Sequence, residues 1–116
     1  MFKKKRVKYD VPWCERFVPE KYHKETIMLD DVGNVLIEKE TIVSGPHFQR
    51  VDFRLTIHLS KKTLEMPILV NQDLNVTEDN DEHVRKLSAN LSQIISTHKR
   101  TEFFVKIEDK GIRSVE

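Results

Sequence analysis

Cys14 and Ser44 are the side chains in this sequence that could act as nucleophiles. A catalytic Ser or Cys needs a neighbouring base and a local motif that fixes its geometry, such as a nucleophile elbow or a P-loop. Neither residue lies in such a motif, and Cys14 beside Trp13 is typical of a small packing residue. We therefore expect that the protein is not an enzyme.

Metal ligation is the second kind of chemistry to consider, because the chain contains five histidines: His23, His47, His58, His83 and His98. No two of them are three or four residues apart, and Cys14 has no CxxC partner, so the spacing of a zinc site is missing. The acidic run at residues 78–82 lacks the central glycine of a calcium loop and is better explained by a helix start. We expect no metal, no cofactor and no small-molecule substrate.

Basic residues at the N-terminus form the first candidate binding surface: Lys3, Lys4, Lys5, Arg6 and Lys8. Residues 1–10 hold five cations and one acid, a net +4, whereas the whole chain has +1, so the remainder has −3. Lys and Arg bind phosphates without sequence preference, and the nearby Tyr9 and Trp13 could stack on unpaired bases. This pattern favours RNA as the partner, or less strongly DNA.

A second candidate surface lies on one strand, where Arg50, Arg54 and His58 are spaced so that all three project from the same face. Such a face could lie against a phosphate backbone. Asp52 shares that face, however, and cross-strand pairs with Glu38, Glu40 or Glu65 could neutralise the arginines. The alternative hypothesis is therefore a protein–protein interaction module, such as a phage or plasmid accessory protein, that does not bind nucleic acid.

Hydrophobic periodicity predicts the elements that position these residues. Period-2 alternation predicts strands at residues 7–13, 26–30, 35–43, 47–59, 64–70 and 101–108, with a hairpin turn at 31–34 and an irregular connection at 15–25. Pro12 suggests that its strand lies at a sheet edge or that the proline is close to the strand end, and Pro67 suggests an edge or a bulge. Residues 109–116 are expected to be a frayed tail.

One amphipathic helix is expected at residues 80–98, because Val84, Leu87, Leu91, Ile94 and Ile95 recur at helical spacing. Asp79 is expected to cap it, with Glu82 three residues later. The helix has no helical partner, so it must pack against a sheet. The prediction is one strand-rich α+β domain, residues 1–116, with a basic arm at 1–8. Two architectures satisfy it: a curved sheet, mixed or antiparallel, and a small barrel.

Cellular location is predicted from cysteine use and hydropathy. A single cysteine cannot form an internal disulfide, which indicates a reducing compartment. Polar and charged residues follow the basic start where a signal peptide would need an apolar stretch, and no run approaches the ~20 apolar residues of a membrane span. The sequence therefore predicts a cytoplasmic protein without a membrane partner.

The start Met1-Phe2-Lys3-Lys4-Lys5 and the segment Val11-Pro12-Trp13-Cys14, together with size and element order, resemble the PrgU-like small regulatory proteins of enterococcal conjugative plasmids. The resemblance implies a PUA-like β-fold that binds RNA and a role in restraining the production of conjugation and surface-adhesion proteins. It covers the chain as a whole and transfers no functional residue.

Overall fold

Six strands and one long helix make up the part of the chain that the computed structural model describes, which is residues 8–9, 17–22, 27–70 and 77–115. The elements are β1 (Lys8–Tyr9), β2 (Ile27–Met28), β3 (Val32–Ser44), β4 (Phe48–Leu59), β5 (Thr63–Ile68), α1 (Thr77–Lys99) and β6 (Lys106–Ser114). Short 3-10 turns occupy Glu20–Tyr22 and Leu29–Asp31. The strand-rich α+β class that the sequence predicted is confirmed.

The main sheet has four strands in the order β5-β4-β3-β6, and β1 pairs with β2 in a separate two-stranded sheet. Strands β3, β4 and β5 are antiparallel neighbours, whereas β6 runs parallel to β3. Because β5 and β6 are the two edges of this sheet, it is an open mixed sheet. This arrangement decides between the two architectures left open by the sequence, in favour of the sheet and against the barrel.

Strand β4 shows how the sequence divides the sheet into two faces. Val51, Phe53, Leu55 and Ile57 are buried in the hydrophobic core, as their period-2 spacing predicted. Leu55 lies opposite Ile37 of β3 and Met66 of β5, so the three central strands contribute to one apolar layer. The side chains between them project from the opposite face, where Thr56 is the one that is buried.

Helix α1 covers the apolar layer with Val84, Leu87, Leu91 and Ile95, all of which are buried, as predicted. Ile94 packs partly buried against the same core. The helix begins at Thr77, three residues earlier than predicted. Asp79 therefore lies inside the first turn, and the prediction that it is the N-cap is wrong.

Two polar contacts hold the helix at defined positions on the sheet. Near its start, the Lys39 ammonium lies 3.0 Å from an Asp81 carboxylate oxygen. At its end, His98 Nε2 lies 2.6 Å from Asp30 Oδ1. The helix axis thus runs from the middle of β3 toward the start of that strand, and the far half of the β3–β4 pair extends past the helix start.

The hairpin predicted at residues 31–34 is wrong. Strand β2 pairs with β1 and not with β3, and residues 32–34 belong to β3 itself, which has a register shift between Val32 and Val35. The β3–β4 hairpin turns instead at residues 45–47, where Gly45 has a φ of +68°. Glycine accepts this left-handed conformation without the steric cost that other residues carry.

The C-terminal part of the chain also differs from the prediction. Residues 101–105 lie outside any strand, and the segment predicted to fray forms most of β6. A bulge interrupts β6, since the register moves by one residue between Asp109 and Ile112. Gly111, with a φ of +85°, donates its backbone N–H to Asp109 Oδ1 at 2.8 Å, which stabilises the bulge.

The sheet edges carry the features that prevent further strand pairing. Pro67 lies in the edge strand β5, which is the edge alternative of the prediction and not the bulge, and it removes one backbone donor there. The bulge and the charged side chains of β6 protect the other edge. Of the strand predicted at residues 7–13, Lys8–Tyr9 is confirmed and the rest lies outside the described residues.

Candidate functional site

The sheet face opposite helix α1 carries most of the charged side chains of the four strands, and we call it the polar face. Lys39, which binds Asp81 of the helix, lies on the other face. Its position follows from the strand registers, which align Arg54 with Glu38 and Glu38 with Glu108. Its ionisable members are Glu38, Glu40, Arg50, Asp52, Arg54, His58, Glu65, Lys106, Glu108, Lys110 and Arg113.

The three predicted residues of β4 have different surroundings on the polar face. Arg50 Nε lies 3.1 Å from Asp52 Oδ1, so the neighbour along the same strand neutralises it. His58 Nδ1 lies 3.3 Å from Thr63 Oγ1 at the far end of the strand. Arg54 is exposed, and within the described part of the chain it has no ion pair.

Strand β6 supplies two further cations that bind acids of β3. Lys110 Nζ lies 2.6 Å from Glu38 Oε2, and an Arg113 guanidinium nitrogen lies 3.0 Å from Glu40 Oε1. The hydrogen bond from Lys110 to Glu38, with the attraction of that carboxylate, raises the pKa of Lys110 above its ordinary value. These bridges join β6 to β3 across the polar face, and both cations remain well exposed.

A groove of about 470 Å³ crosses the polar face. Its charged lining consists of Glu38, Glu40, Arg50, Asp52, Arg54, Lys110 and Arg113. Apolar residues complete it, mainly Ile42 and the end of β5 with the residues that follow, 67–70. The structure thus brings Arg50 and Arg54 together in one groove and leaves His58 out of it.

The charges of the polar face balance. Five cations (Arg50, Arg54, Lys106, Lys110 and Arg113) lie among five acids (Glu38, Glu40, Asp52, Glu65 and Glu108), counting His58 as neutral. A surface that binds a long polyanion by electrostatics alone has an excess of cations. The polar face therefore lacks that footprint. The cross-strand pairs predicted for Arg50 and Arg54 are not the ones observed, because Arg50 binds Asp52 of its own strand, whereas Glu38 and Glu40 bind Lys110 and Arg113 of β6.

The basic arm is the other predicted surface. Lys3, Lys4, Lys5 and Arg6 lie outside the described residues. Lys8 lies in β1, where it is opposite Met28 of β2. The basic segment therefore leads directly into a paired strand.

Apolar side chains gather at the β6 edge. Of the six large hydrophobic residues that are exposed in the described part of the chain, four lie between positions 104 and 115: Phe104, Ile107, Ile112 and Val115. Phe104 and Ile112 are the most open, with 76% and 75% of their surface accessible. A concentration of exposed apolar residues in one segment is a feature of many interaction surfaces.

Sequence reasoning missed Lys110 and Arg113 as members of the site. Ile107 and Ile112 are five residues apart. Residues on one face of a regular strand are an even number apart, so the sequence of β6 does not show period 2 unless a bulge is assumed. The signal that could have shown it is Asp109-Lys110-Gly111, since an Asx turn followed by glycine is typical of such an irregularity.

Other kinds of site are not evident in the described residues. No group of three or more His, Cys, Asp or Glu side chains there could hold a metal ion. No helix among them is sufficiently long and apolar to cross a bilayer. No family model, curated protein or solved structure matches this chain.

Proposed function

We propose that this protein is a non-enzymatic regulatory or accessory protein that binds RNA, or less strongly DNA, through its basic arm, with the polar face as an additional contact surface. The observation that carries the proposal is the charge asymmetry. Residues 1–10 hold a net +4, whereas the polar face is balanced. Nonspecific affinity for phosphates therefore comes from the arm.

The folded body supports this division of roles. Strand β1 joins the arm to the body without an intervening linker, because Lys8 and Tyr9 are already paired with β2. The pairing fixes the position of the backbone at Lys8, the last cation of the arm, relative to β2. The open polar face can then contact the bound nucleic-acid strand through Arg54 and the groove around it.

The test is a mobility-shift titration with short single-stranded RNA and DNA at several salt concentrations. Replacing Lys3, Lys4 and Lys5 by Ala should weaken binding to all sequences alike. It should also flatten the slope of log K against log salt by about 2, since each lost phosphate contact contributes about 0.7.

A matched control removes the same charge elsewhere: Lys61, Arg85 and Lys86, which are exposed on the β4–β5 turn and on α1, are replaced by Ala. This control should retain the affinity and the slope of the wild type. Equal losses in both triple variants would mean that net charge alone matters, and no loss in the arm variant would remove the proposal.

A protein partner is the second candidate function, favoured by the exposed apolar residues of the β6 edge. Replacing Phe104 and Ile112 by Ser should abolish retention of a specific partner in quantitative affinity purification from the source cells. The control replaces Phe48 and Leu69 by Ser, because these two exposed apolar residues lie outside the β6 edge. Identical partner profiles for both variants would contradict this function.

The biological role stays a prediction from the resemblance stated above. PrgU-like proteins would restrain the production of conjugation and surface-adhesion proteins, and RNA binding would supply the means. Expression of the protein in a conjugative host should then lower the amount of these proteins, and the arm variant should not.

A further inference from the structure

We propose that the groove around Arg54 is a subsite for one nucleotide of a single strand, with the phosphodiester bound to Arg54 and the base against the apolar lining. This inference deepens the proposed function and rests on it.

Four cations and three acids line the groove, so its net charge is 4 − 3 = +1. Each acid already has one cation: Lys110 binds Glu38, Arg113 binds Glu40, and Arg50 binds Asp52. Arg54 is the cation that remains without an ion pair among the described residues. A ligand that carries one negative charge would complete the balance, and a phosphodiester carries one.

The geometry of Arg54 suits such a ligand. Its neighbours across the sheet are Glu38, which is already engaged with Lys110, and Pro67, which has no charge. Arg54 thus lines the groove without an ion pair to any residue that the structure describes. A planar guanidinium can donate two parallel hydrogen bonds to phosphate oxygens, which a lysine ammonium cannot do in the same fixed geometry.

The apolar lining favours a ligand with a flat hydrophobic part. Ile42 is buried beneath the groove, whereas Leu69 remains 47% accessible at its border. A nucleobase placed against Leu69 and Pro67 would cover this surface. The groove volume of about 470 Å³ lies within the range of small-ligand sites.

The experiment titrates the dinucleoside monophosphate UpU, which has one phosphodiester, into labelled protein and follows the backbone amides by NMR. Saturable shifts at residues 38–42 and 50–54 support the subsite. Arg54→Ala should weaken UpU binding roughly tenfold or more, since a charge-assisted hydrogen bond is lost. Arg54→Lys should recover part of it, and Arg85→Ala, which removes an exposed cation from helix α1, should bind as the wild type does.

Two further probes separate this ligand from others. Uridine lacks the charge and should bind more weakly than UpU. N-acetylleucine carries a carboxylate on an apolar body, so binding as tight as that of UpU would identify a peptide carboxylate site and overturn the inference. Unchanged UpU affinity in Arg54→Ala, or the absence of shifts in the groove, would also overturn it.

The outcome is distinct from that of the proposed function. If RNA oligonucleotides bind through the arm but UpU leaves the groove amides unchanged, the subsite is wrong and RNA binding stands. If UpU binds at Arg54 while the arm variant loses no affinity for oligonucleotides, the subsite stands and the role of the arm is wrong.

Discussion

Ser96 and Phe103 are joined by two hydrogen bonds through one hydroxyl group. Ser96 Oγ donates to the Phe103 carbonyl oxygen at 3.1 Å, and the Phe103 N–H donates to Ser96 Oγ at 3.0 Å. Two further serines bind Val105: its backbone N–H donates to Ser92 Oγ at 3.0 Å, and Ser88 Oγ donates to its carbonyl oxygen at 3.3 Å. Serines four apart on a helix are about 6 Å apart, close to the two-residue repeat of an extended chain.

Because the two spacings match, the serine hydroxyls of helix α1 supply hydrogen bonds to the backbone of residues 103 and 105, as a neighbouring strand would. Strand β6 in turn supplies Lys110 and Arg113, which neutralise two acids of the groove. The serines thus position the segment that immediately precedes the strand carrying these two cations.

Ser96→Ala removes both hydrogen bonds to Phe103 and should lower the free energy of unfolding by about 1–2 kcal/mol, because two half-buried backbone groups lose their partner. Urea denaturation measures this change. Thr97→Ala is the control, since Thr97 is the next hydroxyl on the helix and is exposed. A loss in Thr97→Ala as large as that in Ser96→Ala would contradict the role assigned to the serines.

Gly111 is required by its backbone conformation and not by lack of space. Its φ is +85°, and an added Cβ would meet nothing within 4 Å. Gly111→Ala should therefore cost about 1–2 kcal/mol through backbone strain alone, measured by thermal or urea unfolding. Gly33→Ala is the matched control, because Gly33 has no left-handed φ and its Cβ would lie at an ordinary 3.5 Å from the His58 carbonyl oxygen. Equal costs at both positions would refute the strain argument.

Strand β4 and helix α1 could be predicted from the sequence because each has a long uninterrupted period. Four core positions of β4 alternate without a break, and Val84, Leu87 and Leu91 keep helical spacing over two turns. Burial of one face imposes these periods directly. The edge position of Pro67 could be predicted as well, since a proline removes a ladder donor wherever it lies.

The hairpin and the C-terminal strand could not be predicted, because each involves a break in period. Gly33 and Asn34 have the composition of a turn but lie in a strand irregularity, since the pairing of β2 with β1 excludes a β2–β3 hairpin. The groove depends on contacts between distant parts of the chain. The pairing of Lys110 with Glu38 follows from the parallel addition of β6 to β3, which local sequence does not encode.

Arg100 follows the last residue of helix α1 and has a φ of +57°, the conformation that glycine adopts most readily at a helix end. Arg100→Gly should remove the steric cost and raise the free energy of unfolding by about 0.5–1 kcal/mol. The same substitution inside the helix, Arg85→Gly, should lower it by about 1 kcal/mol. Urea denaturation of both variants measures these two changes. If Arg100→Gly lowers the free energy of unfolding, the Arg100 side chain contributes more stability than its left-handed backbone conformation costs.

The bridge between Lys110 and Glu38 should be visible in a pH titration of the lysine side chain. The hydrogen bond to Glu38 and the attraction of its charge raise the pKa of Lys110, so the folded protein holds this proton more tightly than the unfolded chain does. The bridge therefore contributes stability below the unfolded-state pKa, and this contribution disappears as the pH rises through the folded-state pKa.

Carbon-13 NMR of the lysine Cε atoms gives the titration midpoint of Lys110 directly. Glu38→Gln should move that midpoint down toward 10.5, the ordinary value. Glu65→Gln removes another acid of the polar face and should leave it unchanged, because Glu65 is not among the groups that act on Lys110. If the midpoint is the same in the wild type and in Glu38→Gln, the bridge does not form in solution, and the groove would then lose the neutralisation of Glu38 on which the subsite at Arg54 depends.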